Sequence, residues 1–123
     1  MNETVDYTDK VTVRITAVRQ NTATGAGPGV LVGAPQHIHD IEIHNGTGKP
    51  LDLSAVVVSA RYGSPEQLAS GAYTEGTKDF AGELAPGSIA RATYGFTVPH
   101  DQKTRVVVDI DAAHAPAVFR SVT

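Results

Sequence analysis

The chain has 123 residues, 41% of them apolar, with a formal net charge of −3 and a pI of about 5.9. That length fits one domain, large enough to bury a core without disulfides or metals. The absence of cysteine excludes disulfide scaffolds, thiol nucleophiles and Cys-ligated zinc, and the absence of any Lys/Arg cluster along the sequence argues against a nucleic-acid partner and a polybasic membrane patch.

The apolar set is mostly Val, Ile and Ala, which suit pleated surfaces. Residues 1–8 read as a loose arm before the first strand, and 1–123 as a single domain. Val11 to Val18 alternate apolar and polar, the period of a half-buried strand, with Val11, Val13, Ile15 and Ala17 on one face. Residues 21–33, rich in Gly, Thr and Ala, read as a surface loop. Residues 37–44 form the next strand, with His37, His39, Ile41 and Ile43 on one parity and Ile38, Asp40, Glu42 and His44 on the other. Asn45-Gly46-Thr47-Gly48-Lys49-Pro50 is a turn signal whose glycines permit positive φ. Strand pattern resumes at residues 51–53 and 55–62.

Residues 63–78 are the longest irregular stretch, with a short helical turn expected over 64–70, capped by Ser64 and opened by Pro65. Phe80 and Leu84 read as buried plugs beside a type II turn at Ala85-Pro86-Gly87. Residues 88–98 are the clearest strand, placing Ala90, Ala92, Tyr94, Phe96 and Val98 on one face. After a turn at 99–102, Val106, Val108 and Ile110 point inward from the following strand, and residues 117–122 close the chain as an edge strand. Six or seven short strands with turn signals and no strand–helix alternation predict an all-β, antiparallel sandwich or barrel.

Three segments carry a family resemblance: residues 41–53, residues 79–87, and residues 92–99, with the ending Ala115-Pro116-Ala117-Val118-Phe119 in agreement. Together they resemble the immunoglobulin-like domains of unknown function found in actinobacterial lipoproteins and membrane-anchored proteins. A secreted mycobacterial immunoprotective antigen has a similar sandwich. The resemblance spans about Tyr7 to Phe119 and implies an immunoglobulin-like β-sandwich of about seven strands at the cell envelope or outside the cell. No catalytic residues come with it. The chain departs from the resemblance at His37, His39 and His44, where aliphatic or Thr residues are expected.

His37 and His39, at i and i+2 on one strand, have the spacing to reach one Zn²⁺ or Cu²⁺. A third ligand has to come from elsewhere, such as His100, His114 or a carboxylate; His44 has the wrong parity. The alternative is two polar residues at the open end of a strand. Asp109 and Asp111, like Asp40 and Glu42, are paired carboxylates suited to Ca²⁺ or acid/base work. The alternative is a solvated face opposite Arg14, Arg91 or Arg105. Gly25-Ala26-Gly27-Pro28-Gly29 lacks the flanking strand, helix and Lys of a phosphate cradle and reads as a loop. The six serines and five histidines show no nucleophile motif. Tyr62 and Tyr73 flank the long irregular stretch as candidates for a contact surface.

The leading expectation is a non-enzymatic extracytoplasmic interaction module, with an envelope protein as partner or a homodimer formed through an edge strand. The alternatives are a metal-binding domain built on His37 and His39, and a structural accessory domain of a larger membrane or secreted protein.

Overall fold

The computed structural model describes residues 3–22, 35–63, 66–71, 78–99, 104–111 and 113–120. Among them are eleven strands and no helix: β1 (Glu3–Asp6), β2 (Val11–Thr22), β3 (Pro35–Asn45), β4 (Leu51–Asp52), β5 (Val57–Tyr62), β6 (Gln67–Leu68), β7 (Ser70–Gly71), β8 (Glu83–Leu84), β9 (Ile89–Thr97), β10 (Thr104–Asp109) and β11 (Ala117–Arg120). Seven have four or more residues. One sheet runs β1-β2-β3-β9-β7, a second runs β11-β10-β5-β6, and β4 pairs β8. Every pairing is antiparallel, as expected of a sandwich whose sheets each keep one face for the core and one for water.

The period-2 pattern fixes which side chains go inward. Val11, Val13 and Ile15 of β2, Ile41 and Ile43 of β3, and Ala92 and Phe96 of β9 meet Ala60 of β5, Val106 and Val108 of β10, Ile110, and Ala117 and Phe119 of β11. Each fully buried aliphatic side chain here is worth about 1.5–3 kcal/mol over leaving it in water. Phe80 and Leu84 are buried plugs as expected. The Ser88 amide donates to the Ala85 carbonyl and Gly87 has φ 80°, the geometry of the expected type II turn.

Several expectations are corrected. Strand β2 is longer than its apolar alternation, reaching Thr22. A register shift between Ile15 and Ala17 places Ala17 opposite Asp40 and Val18 opposite His39. Ala17 therefore leaves the inner face and Val18 joins it, because a bulge inserts one residue and inverts the parity beyond it. Residues 3–6 are a paired edge strand rather than a loose arm. Gln67–Leu68 and Ser70–Gly71 are extended and pair with β5 and β9, so cross-strand bonding replaces the expected helical turn; Ser64 and Pro65 lie outside the described residues.

The Asn45 turn also works differently from its sequence reading. Neither Gly46 nor Gly48 has positive φ. Gly46 is needed for close approach: a Cβ there would stand 2.3 Å from the Lys10 carbonyl oxygen, which accepts the Gly46 amide. Lys10 itself holds φ 75° in the turn between β1 and β2. Asn45 is fully buried; its amide donates to the carbonyls of Lys49 at 2.7 Å and Leu84 at 2.9 Å, and its Oδ1 accepts from the Thr47 amide and hydroxyl.

Candidate functional site

His37 and His39 do share a face, but it is the inner one. Both are 2% exposed, on the side that carries Ile41 and Ile43, with ring centroids 6.4 Å apart. They are core residues rather than solvent-facing groups at a strand end. Their position follows from the register: the start of β3 pairs with the end of β9, His37 opposite Phe96 and His39 opposite Tyr94. Thr104, which opens β10 opposite Tyr62, is buried at the same end, because only residues 98–103 separate it from β9. Gln36, also at the start of β3, is fully buried.

Among the described residues, the ring nitrogens of His39, the Gln36 amide and the Thr104 hydroxyl have no hydrogen-bond partner. His39 packs edge-on against Phe96 at 6.0 Å. Burial disfavours its imidazolium, and His37 adds to the effect against a weaker opposing pull from Asp40, so its pKa falls to about 4. His39 is therefore neutral at pH 7. No group of three His, Cys, Asp or Glu able to hold a metal ion forms among the described residues. His44 lies on the opposite face, as its parity requires, and His100 lies outside the described residues.

His114 sits elsewhere, between two carboxylates. Its Nδ1 is 2.7 Å from Asp111 and its Nε2 is 2.7 Å from Asp9. Burial works against the imidazolium, but the two carboxylates outweigh it and raise the His114 pKa. The Asp111 carboxyl is lowered chiefly by His114; the Asp9 carboxyl is lowered although burial opposes it, by the Val11 amide and then His114. The Tyr7 hydroxyl donates to the Ala115 carbonyl, and its ring meets His114 edge-on at 5.0 Å. This clasp ties the β1–β2 turn to the loop between β10 and β11.

The acidic pairs face arginines. Glu42 bridges Arg14 at 2.9 Å and Arg91 at 3.0 Å, while Asp40 accepts from Arg19 and from Thr93. Burial works to raise both carboxyls, but these partners outweigh it and lower them. A shallow depression of about 310 Å³ on this face is lined by Thr4, Thr12, Arg14, Glu42, His44 and Ile89. Its charged groups already satisfy each other, and no nucleophile–base pair forms there. Asp109 is exposed on β10, and Asp111 belongs to the clasp.

Tyr62 is half-buried and packs against the core, a correction to its expected role as a contact residue. It shares the inward parity of Val58 and Ala60 on β5. Tyr73, the loop 23–34 and residues 72–77 lie outside the described residues. The Tyr94 hydroxyl oxygen accepts the Phe80 amide at 2.9 Å, which ties it to the plug segment.

What the sequence did not reveal is the outer face of the second sheet. Val57, Leu68 and Val118 are 61%, 64% and 42% exposed, three of the four large hydrophobic side chains that face solvent among the described residues. All three have outward parity on the second sheet, on β5, β6 and β11, with β10 between β5 and β11: Val57 lies opposite Asp109, Leu68 opposite Arg61, and Val118 opposite Val107. On the same sheet Arg61 is opposite Arg105, and Arg105 is opposite Arg120. Positions 61, 105 and 120 are thus neighbours in register although no Lys/Arg cluster exists along the chain, and Arg105 is ion-paired to Glu66 at 2.8 Å. Strand parity marks Arg61 and Arg105 as outward; only the register could bring the three together.

Scans against protein-family models and against curated proteins find no match. Solved structures do match. A conserved hypothetical protein from Bacillus anthracis is 17% identical, with a TM-score of 0.59 over 87% of this chain and 91% of that one. An uncharacterized β-sandwich protein from Clostridium difficile 630 is 15% identical, with a TM-score of 0.57 over 96% of this chain and 89% of that one. At such identities the likeness speaks to the fold alone, and the fold is an all-β, antiparallel sandwich.

Proposed function

We propose that the chain is a non-enzymatic binding module acting at the cell envelope or outside the cell, with the outer face of its second sheet as the contact surface. The observation that carries this reading is that Val57, Leu68 and Val118, three of the four exposed large hydrophobic side chains among the described residues, lie on the outer face of one sheet. Exposed large apolar side chains concentrated on one face of a folded domain point to that face as a contact surface. The extracytoplasmic setting rests on the sequence resemblance to lipoprotein and membrane-anchored domains. Replacing Leu68 and Val118 together with Glu tests the surface. Capture of an envelope component by the immobilised chain should fall at least tenfold while the circular dichroism spectrum and melting temperature stay close to the parent's. Unchanged capture refutes the assignment of the face, and fractionation of cells expressing the full gene product tests the location.

A second reading, a Zn²⁺ or Cu²⁺ domain using His37 and His39, is supported by one observation: the two ring nitrogens of His39 are buried without partners among the described residues. A metal bound to the native state must raise its stability. Melts with Zn²⁺ or Cu²⁺ in large excess should shift upward in the parent and not in His39→Leu. No shift in the parent disposes of this reading.

A further inference from the structure

We propose that His37 and His39 hold one monovalent copper ion, Cu⁺, in two-coordinate geometry within the core. This deepens the metal reading above and rests on it: the site is the same pair, and its ion is Cu⁺ rather than a divalent metal. Residues i and i+2 of a strand point to one side, and both rings are 2% exposed with centres 6.4 Å apart. A linear imidazole–metal–imidazole unit has two metal–nitrogen bonds of about 2 Å, and each nitrogen lies about 1.1 Å from its ring centre, so the centres stand about 6.2 Å apart. The pair has the spacing such a unit needs. Its 52° interplanar angle is compatible with it, because linear coordination leaves each ring free to turn about its metal–nitrogen bond. A ring flip exchanges nitrogen and carbon positions within one outline, so the spacing of the centres is the quantity that decides. The unit uses one nitrogen of each ring and leaves the other for a hydrogen bond.

Ligand number chooses the ion. Zn²⁺ takes four ligands, and Cu²⁺ prefers a tetragonal set. No group of three His, Cys, Asp or Glu able to hold a metal forms among the described residues. The acidic side chains of the same strand, Asp40 and Glu42, have the opposite parity and are engaged by Arg19, Arg14 and Arg91. A divalent ion between two neutral rings would bury two charges without a counter-charge, which is costly. Cu⁺ buries one, and as a closed-shell ion it is satisfied by two ligands in line. Sulfur is its softer choice, but the chain has no cysteine and a single methionine, Met1, outside the described residues, so imidazole is what the core offers. Both ring nitrogens of His39 are buried without a partner among the described residues, and an aliphatic side chain would fill its place against Phe96 without that cost. A bond to Cu⁺ gives one of them a partner.

The test is titration of the purified chain with Cu⁺, under argon with ascorbate, against a chromogenic Cu⁺ chelator. The folded parent should hold one Cu⁺ per chain, and X-ray absorption should give two nitrogen neighbours at about 2 Å. At a free Cu⁺ concentration about a hundred times Kd, the melting temperature should rise by about 10 °C. His39→Leu and His37→Leu should each lose both the ion and the rise, while His44→Leu, on the other face of the strand, should keep them. Circular dichroism checks the fold of each variant; should the two leucine variants unfold, the absorption spectrum of the parent decides alone. A parent that holds no Cu⁺, a folded His39→Leu that still holds it, or three or more ligand atoms in the absorption spectrum overturns the proposal. A melting temperature raised by Zn²⁺, or by Cu²⁺ without reductant, but not by Cu⁺ leaves the metal reading standing and this proposal fallen. No rise with any of the three ions disposes of both.

Discussion

Acidification should destabilise the domain through His39, and the size of the effect follows from its burial. The neutral imidazole is held in an apolar site beside His37 and Phe96, with its pKa at about 4 against 6.5 in a solvated chain. A histidine whose folded pKa is depressed contributes stability fully above 6.5 and loses it as the pH falls toward 4, since the unfolded chain takes up the proton first. At about 1.36 kcal/mol per tenfold change in proton affinity, the whole interval is worth about 3 kcal/mol, most of it lost by pH 4.5. Against a total stability of about 5–15 kcal/mol for a domain, that is easily measured. Urea unfolding of the parent and of His39→Leu, followed by far-ultraviolet circular dichroism at pH 7.5 and 4.5, gives the double difference. Groups common to both proteins cancel. The parent should lose about 2.5 kcal/mol more than the variant over this interval. At pH 7.5 the variant should match or exceed the parent, because leucine leaves no buried nitrogen unsatisfied. Equal losses in both proteins would refute the account of His39 as a buried neutral histidine.

Other outcomes follow from the same physics. Asn45→Ala should cost about 2–4 kcal/mol in urea unfolding, because it strands the Leu84 carbonyl in the interior and releases the turn that Thr47 and Lys49 close. Glu42→Gln should cost about 1 kcal/mol by releasing Arg14 and Arg91, and the loss should shrink in about 1 M salt; a loss insensitive to salt contradicts an electrostatic origin. The His114 clasp should be tightest between about pH 4 and 6.5. Its raised imidazole pKa gives stability below 6.5 that is lost as the pH rises through the folded value, and the lowered Asp9 and Asp111 carboxyls give stability above 3.8 that is lost as the pH falls. Hydrogen exchange of β1 amides should therefore slow on going from pH 8.5 to 6 by more than the chemical rate explains, and His114→Gln should abolish the excess.

Much of the architecture was legible from alternation alone. Apolar side chains at every second position of β9 and β10 leave one choice of buried face, and Ala85-Pro86-Gly87 names its own turn. The Thr16 bulge was not legible, because an inserted residue changes which of Ala17 and Val18 is apolar-facing without changing the pattern of letters. His37 and His39 were correctly paired on one face, yet their burial was not predicted. Parity says which residues share a side; it does not say that a second sheet covers the end of the strand. Tyr62 was misplaced for the same reason.

The residue sequence by itself determined the strand content, the inward parity of most strands and the absence of thiol chemistry, because these depend on side-chain type and on a period of two. Tertiary structure alone decided which strands adjoin and in what register. Register is a long-range pairing between segments tens of residues apart, fixed by the mutual fit of two buried faces. It is what closes His114 between Asp9 and Asp111, and what brings positions 61, 105 and 120 into cross-strand register although they lie far apart in the chain.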